Sequence, residues 1–599
     1  MSEKKLPNRA EIPEADRWKL EHIYATPEDW EREAEEVKGL LPCVAAFQGR
    51  LGESAAVLAD ALELRDRISR KAEKLFVYAR MRRDEDNGDT LAQARADRAE
   101  NLLTQVQSVL SYFTPEILSI PEEVIKVYLQ AEPRLKVYTR HIHEILEERP
   151  HILSGAEERI LAELGEVLGA VDTAFTMLTN VDIEFEPVIT SDGERIELTK
   201  GRYSQFMEGE DREVRRQAFS HLHQGYKKLA NTLAATLAGA VKRDVVFARL
   251  RRYGSALEAA LSPDKVPVQV YEELITTVRR FHPQLYRYFA LKKKALNLDE
   301  LHFYDLYAPM ISGIKMEFSY EEAKARVLRG LAPLGEEYIR KLKEGLEGGW
   351  VDVYENRNKT GGAYAWGCYD SHPYVLLNYQ PNLSSVLTLA HEMGHALHSA
   401  YSNAHQPYIY AQYPIILAEV ASTVNEVLMM EDLLLETTDP KVRLYLLNRF
   451  LEEFRGTVFR QTMFAEFERV IHHSVEMGEA LTPEYLSQQY LELNRAYHGD
   501  GVVLDPGLEV EWARIPHFYT GFYVYKYATG FSAAVALARR ILKEGEPAVW
   551  RYLEFLRSGN SDDPLVLLKR AGVDLTTPEP VTEALQYFTE LLDQLEAEL

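Results

Sequence analysis

The sequence predicts a mostly α-helical fold in two lobes, with one small β-sheet beside a helix that carries a functional motif. Long charged runs rich in Leu and Ala repeat apolar residues at helical spacing, from residue 27 to about 184 and again after about 200. Period-two patterns are confined to two short stretches, 187–199 and 361–379. With 599 residues and 46% apolar content, the chain can bury more than one core.

A domain boundary is expected near residue 200, between an N-terminal helical domain of residues 1–199 and a second domain of residues 200–599. Two short strands, 187–190 and 195–199, precede this boundary, and the Ser191-Asp-Gly193 segment between them is a strong hairpin signal. Length alone would allow about four domains, but the helical pattern favours two.

The most informative motif is His391-Glu392-Met-Gly-His395. On a helix, the two histidines lie one turn apart on the same face, where both imidazoles can bind one zinc ion. Glu392 then lies beside the ion and can take a proton from a water that the ion activates. This combination is the core chemistry of a metallopeptidase.

The residues around the motif predict a helix packed against a core. Apolar or small residues follow helical spacing through it, and Pro381-Asn382 is a plausible helix start. The spaced residues are Leu383, Val386, Leu387, Ala390, Gly394, Leu397 and Tyr401. Buried imidazoles need a metal or a hydrogen bond, so this packing favours a real metal site over a chance match.

A third zinc ligand is expected from a second helical run, residues 415–430. Glu419 lies there among apolar residues, where a carboxylate needs a cation; alternatively, it reaches solvent at a helix end. A helix-loop-helix hairpin would bring it to the ion, with water in the fourth position. His398 is too far from His391 along a helix to share the ion and is expected to be structural. Glu426 is expected either to hold a ligating imidazole or to be solvated.

These motifs resemble those of the thimet oligopeptidase family of zinc metallopeptidases, and most closely its bacterial oligoendopeptidase F branch. The resemblance rests on residues 361–369, 373–379, 391–398, 419–426 and 515–530. It implies two helical lobes that enclose a substrate channel, the N-terminal domain walling it. It also implies one zinc ion per chain, held by His391, His395 and Glu419, with Glu392 as the general base.

Residues 361–379 alternate Gly, Ala and aromatic residues with polar ones. This pattern predicts a small sheet with a closely approached backbone, or an ordinary hairpin beside the zinc helix. The resemblance implies that an edge of this sheet pairs with an extended peptide substrate. The residues assigned to substrate binding are Gly361, Gly362, Ala363 and Tyr364.

One imidazole and four phenols crowd into a tract of eleven residues. They are His517, Tyr519, Tyr523, Tyr525 and Tyr527. A tyrosine-rich stretch usually packs in a core or an interface, but beside a peptidase site it can donate hydrogen bonds to the oxyanion that hydrolysis builds. The resemblance implies that role for a His and one or more Tyr. We assign His517 and Tyr525 first, then Tyr519 and Tyr523.

The charge and the cysteine content of the chain limit its possible binding partners and its expected cellular location. A net charge of −24 argues against binding nucleic acid or anionic membranes. The chain lacks an apolar signal region and any run near the roughly 18 apolar residues of a membrane span, which favours a cytoplasmic protein. Its two cysteines, Cys43 and Cys368, indicate neither a disulfide framework nor thiolate zinc ligands. The sequence leaves the oligomeric state open.

The predicted function is therefore a zinc-dependent endopeptidase that hydrolyses internal bonds of short oligopeptides. A dipeptidyl or metallo-carboxypeptidase with the same zinc core is one alternative, and it would need Arg357, Arg514 or Lys526 to hold a C-terminal carboxylate. A non-catalytic peptide-binding protein is the other alternative, disfavoured because the motif residues are intact.

Overall fold

A computed structural model describes residues 5–599, excluding the side chain of residue 166. The chain is 72% helical, and its strands are only two or three residues long. The predicted mostly α-helical class is therefore confirmed. Among the described helices, none combines the length and apolar character that crossing a bilayer requires.

The described residues form 26 α-helices, numbered in chain order. They are α1 (Pro27–Ala45), α2 (Ala55–Glu85), α3 (Thr90–Leu110), α4 (Phe113–Ser119), α5 (Glu122–Ala131), α6 (Thr139–Glu147), α7 (Gly155–Leu168), α8 (Ala170–Met177), α9 (Lys200–Met207), α10 (Arg212–Lys228), α11 (Ala230–Leu250), α12 (Ala256–Leu261), α13 (Val268–Arg280), α14 (His282–Ala295), α15 (Tyr320–Gly330), α16 (Gly335–Glu347), α17 (Leu383–His405), α18 (Tyr408–Ala411), α19 (Ile415–Glu436), α20 (Pro440–Phe454), α21 (Arg460–Glu476), α22 (Pro483–His498), α23 (Tyr525–Glu544), α24 (Glu546–Arg557), α25 (Pro564–Ala571) and α26 (Glu579–Glu598).

Shorter helical turns connect many of these elements. The 3-10 turns are Arg9–Glu11, Glu14–Asp16, Leu20–His22, Pro133–Tyr138, Arg149–His151, Ser262–Asp264, Phe303–Asp305, Ala332–Leu334, Gly499–Gly501, Leu508–Arg514 and Pro516–Tyr519. The π-helical turns are Leu178–Asp182 and Arg455–Phe459.

The chain divides into two compact units. The first comprises the described residues up to Pro150, Met316–Asp432 and Leu537–Gly572. The second comprises His151–Lys315, Leu433–Ala536 and Val573–Leu599. None of these division points falls near residue 200, and the domain boundary proposed there stays a prediction.

The core of the first unit joins its N-terminal helices to a small sheet. The helices α1, α2 and α3 pack together, and Trp30 donates from its indole N–H to the Leu75 carbonyl at 3.0 Å. The same apolar cluster continues to Tyr374 and Leu376, which are fully buried. The sheet therefore shares one apolar cluster with residues of α1 to α6, and α17 also contacts the sheet.

That sheet has three strands, β3 (Val351–Asp352), β4 (Tyr364–Trp366) and β5 (Tyr374–Leu376). Their order is β3-β5-β4; β5 lies parallel to β3 and antiparallel to β4. β4 is therefore an edge strand. In the second unit, β1 (Val188–Ile189) and β2 (Arg195–Ile196) form the hairpin that the turn signal predicted.

Candidate metal centre

The motif helix forms as predicted. Asn382 caps α17, since its side-chain oxygen accepts a hydrogen bond from the Ser385 N–H at 2.9 Å. Ala390 and Met393 are fully buried against the core. His391 and His395 lie on the other face, with 25% and 18% of their side chains exposed. The helix thus presents both imidazoles where an ion can reach them.

Close packing of α17 against α19 brings Glu419 to these histidines. A Cβ on Gly394 would lie 2.6 Å from the Ser422 Cα, so only glycine allows the two backbones to approach this far. Asn425 then donates to the Ala390 carbonyl at 2.8 Å and accepts from the Tyr338 hydroxyl at 2.9 Å. Sequence reasoning missed Asn425; a polar residue in an apolar helix was its only signal.

Gly394→Ala is expected to weaken metal retention without touching any ligand. The added methyl group must push α19 away from α17, and Glu419 moves with it. We expect at least about a tenfold loss of metal affinity, comparable to disturbing residues that orient ligands. Metal analysis after dialysis measures this loss, and Ala396→Gly, a change of similar size on the same helix, is the control. Unchanged metal affinity in Gly394→Ala would contradict the close-packing account.

The three expected ligand atoms face one another. The Nε2 atoms of His391 and His395 are 3.2 Å apart, and the Oε2 atom of Glu419 lies 3.8 and 3.9 Å from them. Ligands on a tetrahedral zinc ion, bound at about 2.0–2.2 Å, stand about 3.3–3.5 Å apart. Among the described residues, this is also the only group of three such side chains close enough to hold a metal ion. The arrangement fits a zinc ion with small adjustments.

Each imidazole also contacts the protein away from the three facing ligand atoms. The Nδ1 atom of His391 lies 3.4 Å from the Glu426 carboxylate, and His395 hydrogen-bonds to the backbone of Ala418. Burial lowers the pKa of both imidazoles. For His391 the negative charge of Glu426 outweighs burial and raises the pKa to about 9, whereas the pKa of His395 falls to about 3. Such partners orient ligating histidines and select the nitrogen that faces the ion. The Ser422 hydroxyl donates to the Glu419 backbone carbonyl at 3.1 Å and lies 3.4 Å from Oε2 of the same residue.

Glu392 is nearly enclosed, with only 8% of its surface exposed. Burial raises its pKa to about 7; the charge of His391 and a hydrogen bond from the Ala365 backbone N–H oppose this rise, while Glu419 adds to it. Glu392 therefore lies between the ligand cluster and the edge strand β4.

The free edge of β4 is set by the register of the sheet. The Val375 N–H donates to Trp350, toward β3, so Val375 and its partner Ala365 form a pair without mutual hydrogen bonds. The backbone groups of Ala365 consequently face away from β5. Sequence reasoning missed Ala365, because strand order is not visible in the local pattern.

The four residues predicted to bind substrate lie at or just before this edge. Gly362 has a φ of 81°, and its carbonyl accepts a hydrogen bond from Asn378 at 2.8 Å. Open space surrounds Gly361 and Gly362. The Tyr364 hydroxyl donates to Asp84 at 2.9 Å.

His398, which is expected to be structural, lies in the interior of the first unit. It is fully buried and stacks on Tyr413 at 3.6 Å between ring centroids. Its two ring nitrogens have no hydrogen-bond partner among the described residues. Burial lowers its pKa to about 3 and keeps it neutral.

The tyrosine-rich tract belongs to the second unit, where its side chains divide into two sets. Tyr519 is buried and its hydroxyl lies 2.7 Å from that of Thr236; Tyr525 is fully buried against Tyr271, with ring centroids 5.4 Å apart. Burial raises the pKa of both phenols. The other set comprises His517, Tyr523 and Tyr527, half-buried rings with centroids 5.5 to 6.5 Å apart.

Known proteins are similar to this one along nearly the whole chain. Residues 205–587 match the model of peptidase family M3, and residues 116–185 match that of an Oligopeptidase F segment. Oligopeptidase PepF of Bacillus subtilis is 49% identical over 591 residues, which cover 99% of this chain and 88% of that protein. Group B oligopeptidase PepB of Streptococcus agalactiae is 40% identical, with 98% of each chain covered.

Solved structures are also similar to this protein along nearly the whole chain. A putative peptidase from Chlamydophila abortus superimposes with a TM-score of 0.94 at 38% identity, covering 99% of this chain and 100% of that one. Oligoendopeptidase-F from Enterococcus faecium gives 0.74 at 37% identity, covering 95% and 99%. The resemblance that the motifs indicated is confirmed. This chain therefore belongs to peptidase family M3, as a metalloendopeptidase of the oligoendopeptidase F group.

Proposed function

We propose that the metal is one zinc ion per chain and that His391, His395 and Glu419 hold it. The observation that supports this most is the triangle of their three ligand atoms, each side of which is within a few tenths of an ångström of a tetrahedral site. Imidazole and carboxylate ligands suit zinc, and metal analysis would separate it from cobalt or manganese.

Glu392 is the general base of this proposal. Zinc, when bound, polarises the scissile carbonyl and lowers the pKa of the attacking water. The Glu392 carboxylate, adjacent in sequence to one ligand and hydrogen-bonded to β4, is positioned to take the water's proton at an Oε atom. The same carboxyl group then returns that proton to the leaving amine.

The edge of β4 is the proposed substrate-binding strand. The side of this strand that faces away from β5 carries the carbonyl of Ala365, whose N–H donates to Glu392. Gly361, Gly362, Ala363 and Tyr364 lead into this edge. A peptide that adds to this edge would be held through its main chain, close to Glu392 and with little regard for its side chains. Loose sequence preference follows from this mode of binding.

His517 and a tyrosine of its tract are the proposed oxyanion donors. Partial exposure favours Tyr523 among the three assigned phenols, because Tyr519 and Tyr525 point into the interior of the second unit. Burial lowers the pKa of His517, so its ring is neutral near pH 7 and still offers one N–H.

Replacing these donors should lower kcat far more than it raises KM, since they act mainly in the transition state. We expect losses on the order of 10²–10³-fold for His517→Ala and Tyr523→Phe. Tyr519→Phe is the matched control, because the Tyr519 hydroxyl already pairs with Thr236. A silent Tyr523→Phe beside a crippled Tyr525→Phe would return the role to Tyr525. If all three phenylalanine variants are silent, none of the three assigned phenols is a donor, and Tyr527, which packs beside His517 and Tyr523, is the phenol of the tract that remains to be tested.

Short oligopeptides are the proposed substrates, and cleavage of internal bonds distinguishes the endopeptidase from its alternatives. We expect rapid cleavage of an internally quenched peptide whose C-terminus is amidated, because no contact to a terminal carboxylate is required. A dipeptidyl or carboxypeptidase would stall on that peptide and cut only the free acid. A peptide-binding protein would bind both and cleave neither.

Chain length provides the second part of the same assay. The assay compares three kinds of substrate at equal bond concentration: casein, a separate folded globular protein, and peptides of graded length. Glu392→Gln is the control for contaminating proteases. We expect the short peptides to be cleaved and the folded protein to stay intact. Rapid cleavage of the folded protein would contradict the oligopeptide preference.

A cytoplasmic location also remains part of the proposal. Cys43 is exposed and Cys368 is buried, and neither forms a disulfide. Unpaired thiols are usual in a reducing compartment.

A further inference from the structure

We propose that His22 and His372 form a second transition-metal site, separate from the candidate metal centre. The Nδ1 atom of His22 lies 2.9 Å from the Nε2 atom of His372, with ring centroids 5.2 Å apart and planes at 80°. The ligand pair of the metal centre, His391 and His395, has a 3.2 Å nitrogen separation, centroids 4.8 Å apart and planes at 82°. The two pairs share almost the same geometry.

His372 is oriented like a metal ligand. Its Nδ1 atom lies 2.9 Å from the Pro373 carbonyl, so this nitrogen carries the proton and Nε2 carries the lone pair. Its ring stacks on the buried Trp350, with centroids 5.0 Å apart and planes at 6°. Burial lowers the pKa of His372, and a neutral imidazole is the form that binds metal ions. A backbone partner on the outer nitrogen and a fixed ring are common features of ligating histidines.

The backbone below His22 is fixed as well. His22 ends the 3-10 turn Leu20–His22, and Leu20 is fully buried. Lys19 comes directly before this turn. Its N–H donates to the Gly349 carbonyl at 2.8 Å, and its carbonyl accepts from the Tyr374 hydroxyl at 3.0 Å. The His22 ring itself is exposed. An ion from solution can therefore reach a pair of nitrogens that is already in place.

An ordinary hydrogen bond between the two imidazoles is the alternative explanation of the 2.9 Å contact. The contact needs one N–H donor, which His22 supplies, and a metal ion would displace that proton. The nitrogens would then separate by a few tenths of an ångström, to about 3.3 Å. Water would complete the coordination; besides His22, the nearby side chains whose charges act on His372 are the Glu344 carboxylate and the Lys341 ammonium. With two protein ligands, this site must bind zinc or copper more weakly than the three-ligand centre.

Zinc titration of the metal-depleted, full-length enzyme tests the proposal. We expect the wild-type protein to take up one tight equivalent and one weaker equivalent. His22→Gln should lose at least about tenfold in affinity for the second equivalent and keep the first. His473→Gln removes another exposed histidine and should retain both equivalents. Because His22 is exposed, its replacement leaves the core intact; His372→Gln, which also loses the stacking on Trp350, is the supporting variant.

Two further measurements separate this site from the catalytic one. With zinc in the tight site, added Cu²⁺ should give an electron paramagnetic resonance signal of nitrogen ligation in the wild type that His22→Gln lacks. Excess zinc should raise the Tm of the wild type, since an ion that binds only the folded state stabilises it. The proposal would be overturned if the wild type takes up only one equivalent of zinc, up to free zinc on the order of 0.1 mM, and His22→Gln still binds that equivalent. So would a second equivalent that His22→Gln leaves unchanged.

Discussion

Glu392→Gln is expected to lower kcat by on the order of 10³–10⁴-fold while the protein keeps its fold and its metal. An amide cannot accept the proton of the attacking water, and it cannot pass one to the leaving amine. Its shape nearly equals that of the acid, and its oxygen can still accept the hydrogen bond from the Ala365 N–H. The substitution therefore removes the proton-transfer step and little else.

Glu426→Gln is the matched control for this experiment. It also removes one negative charge near His391, 3.4 Å from the Nδ1 atom, but the residue is not placed to exchange protons with substrate. We expect a loss of about 10–100-fold there, mainly through weaker metal affinity. Metal content, Tm and binding of an uncleaved peptide are measured for both variants. Activity of Glu392→Gln within about tenfold of the parent, at full metal content, would remove Glu392 from the role of base.

Local sequence signals predicted the two helices of the metal centre well. Asn382 caps α17 where the sequence placed the helix start, and α19 begins at Ile415, the first residue of the second helical run. These signals are short-range: a cap, a period and an apolar stripe. The contact between the helices is different, because it depends on a glycine facing Ser422 and on Asn425 reaching Ala390. Neither partner can be identified from its own neighbours in sequence.

The tyrosine-rich tract shows the same limit. Its composition indicates an unusual concentration of phenols, but the interior or exterior position of each depends on helices far away in sequence. Tyr519 is enclosed by Thr236 of α11, and Tyr525 by Tyr271 of α13. The His22–His372 pair joins residues 350 positions apart, and no local pattern marks either histidine. Long-range packing decides such sites.

Glu419→Ala is expected to weaken metal retention by more than about 10²-fold and to abolish peptidase activity. Loss of a residue that only orients a ligand costs about 10–100-fold, so loss of a ligand should cost more. The two remaining histidines would bind the ion as a simple pair, without the carboxylate that neutralises half its charge. The fold should persist, because 40% of the Glu419 side chain is exposed.

Glu436→Ala, at the exposed end of the same helix, is the control, because it makes the same Glu-to-Ala change in α19 and removes the same negative charge. Metal content is measured after dialysis against a weak chelator, and Tm is measured with and without added zinc. The wild type and the control should gain Tm from zinc at concentrations where Glu419→Ala gains nothing, since the gain reports binding to the folded state. Full zinc occupancy in Glu419→Ala would remove Glu419 from the ligand set and leave the third position to another group. Retained metal with lost activity would instead assign Glu419 to substrate contact, because a ligand cannot be removed without a change in affinity.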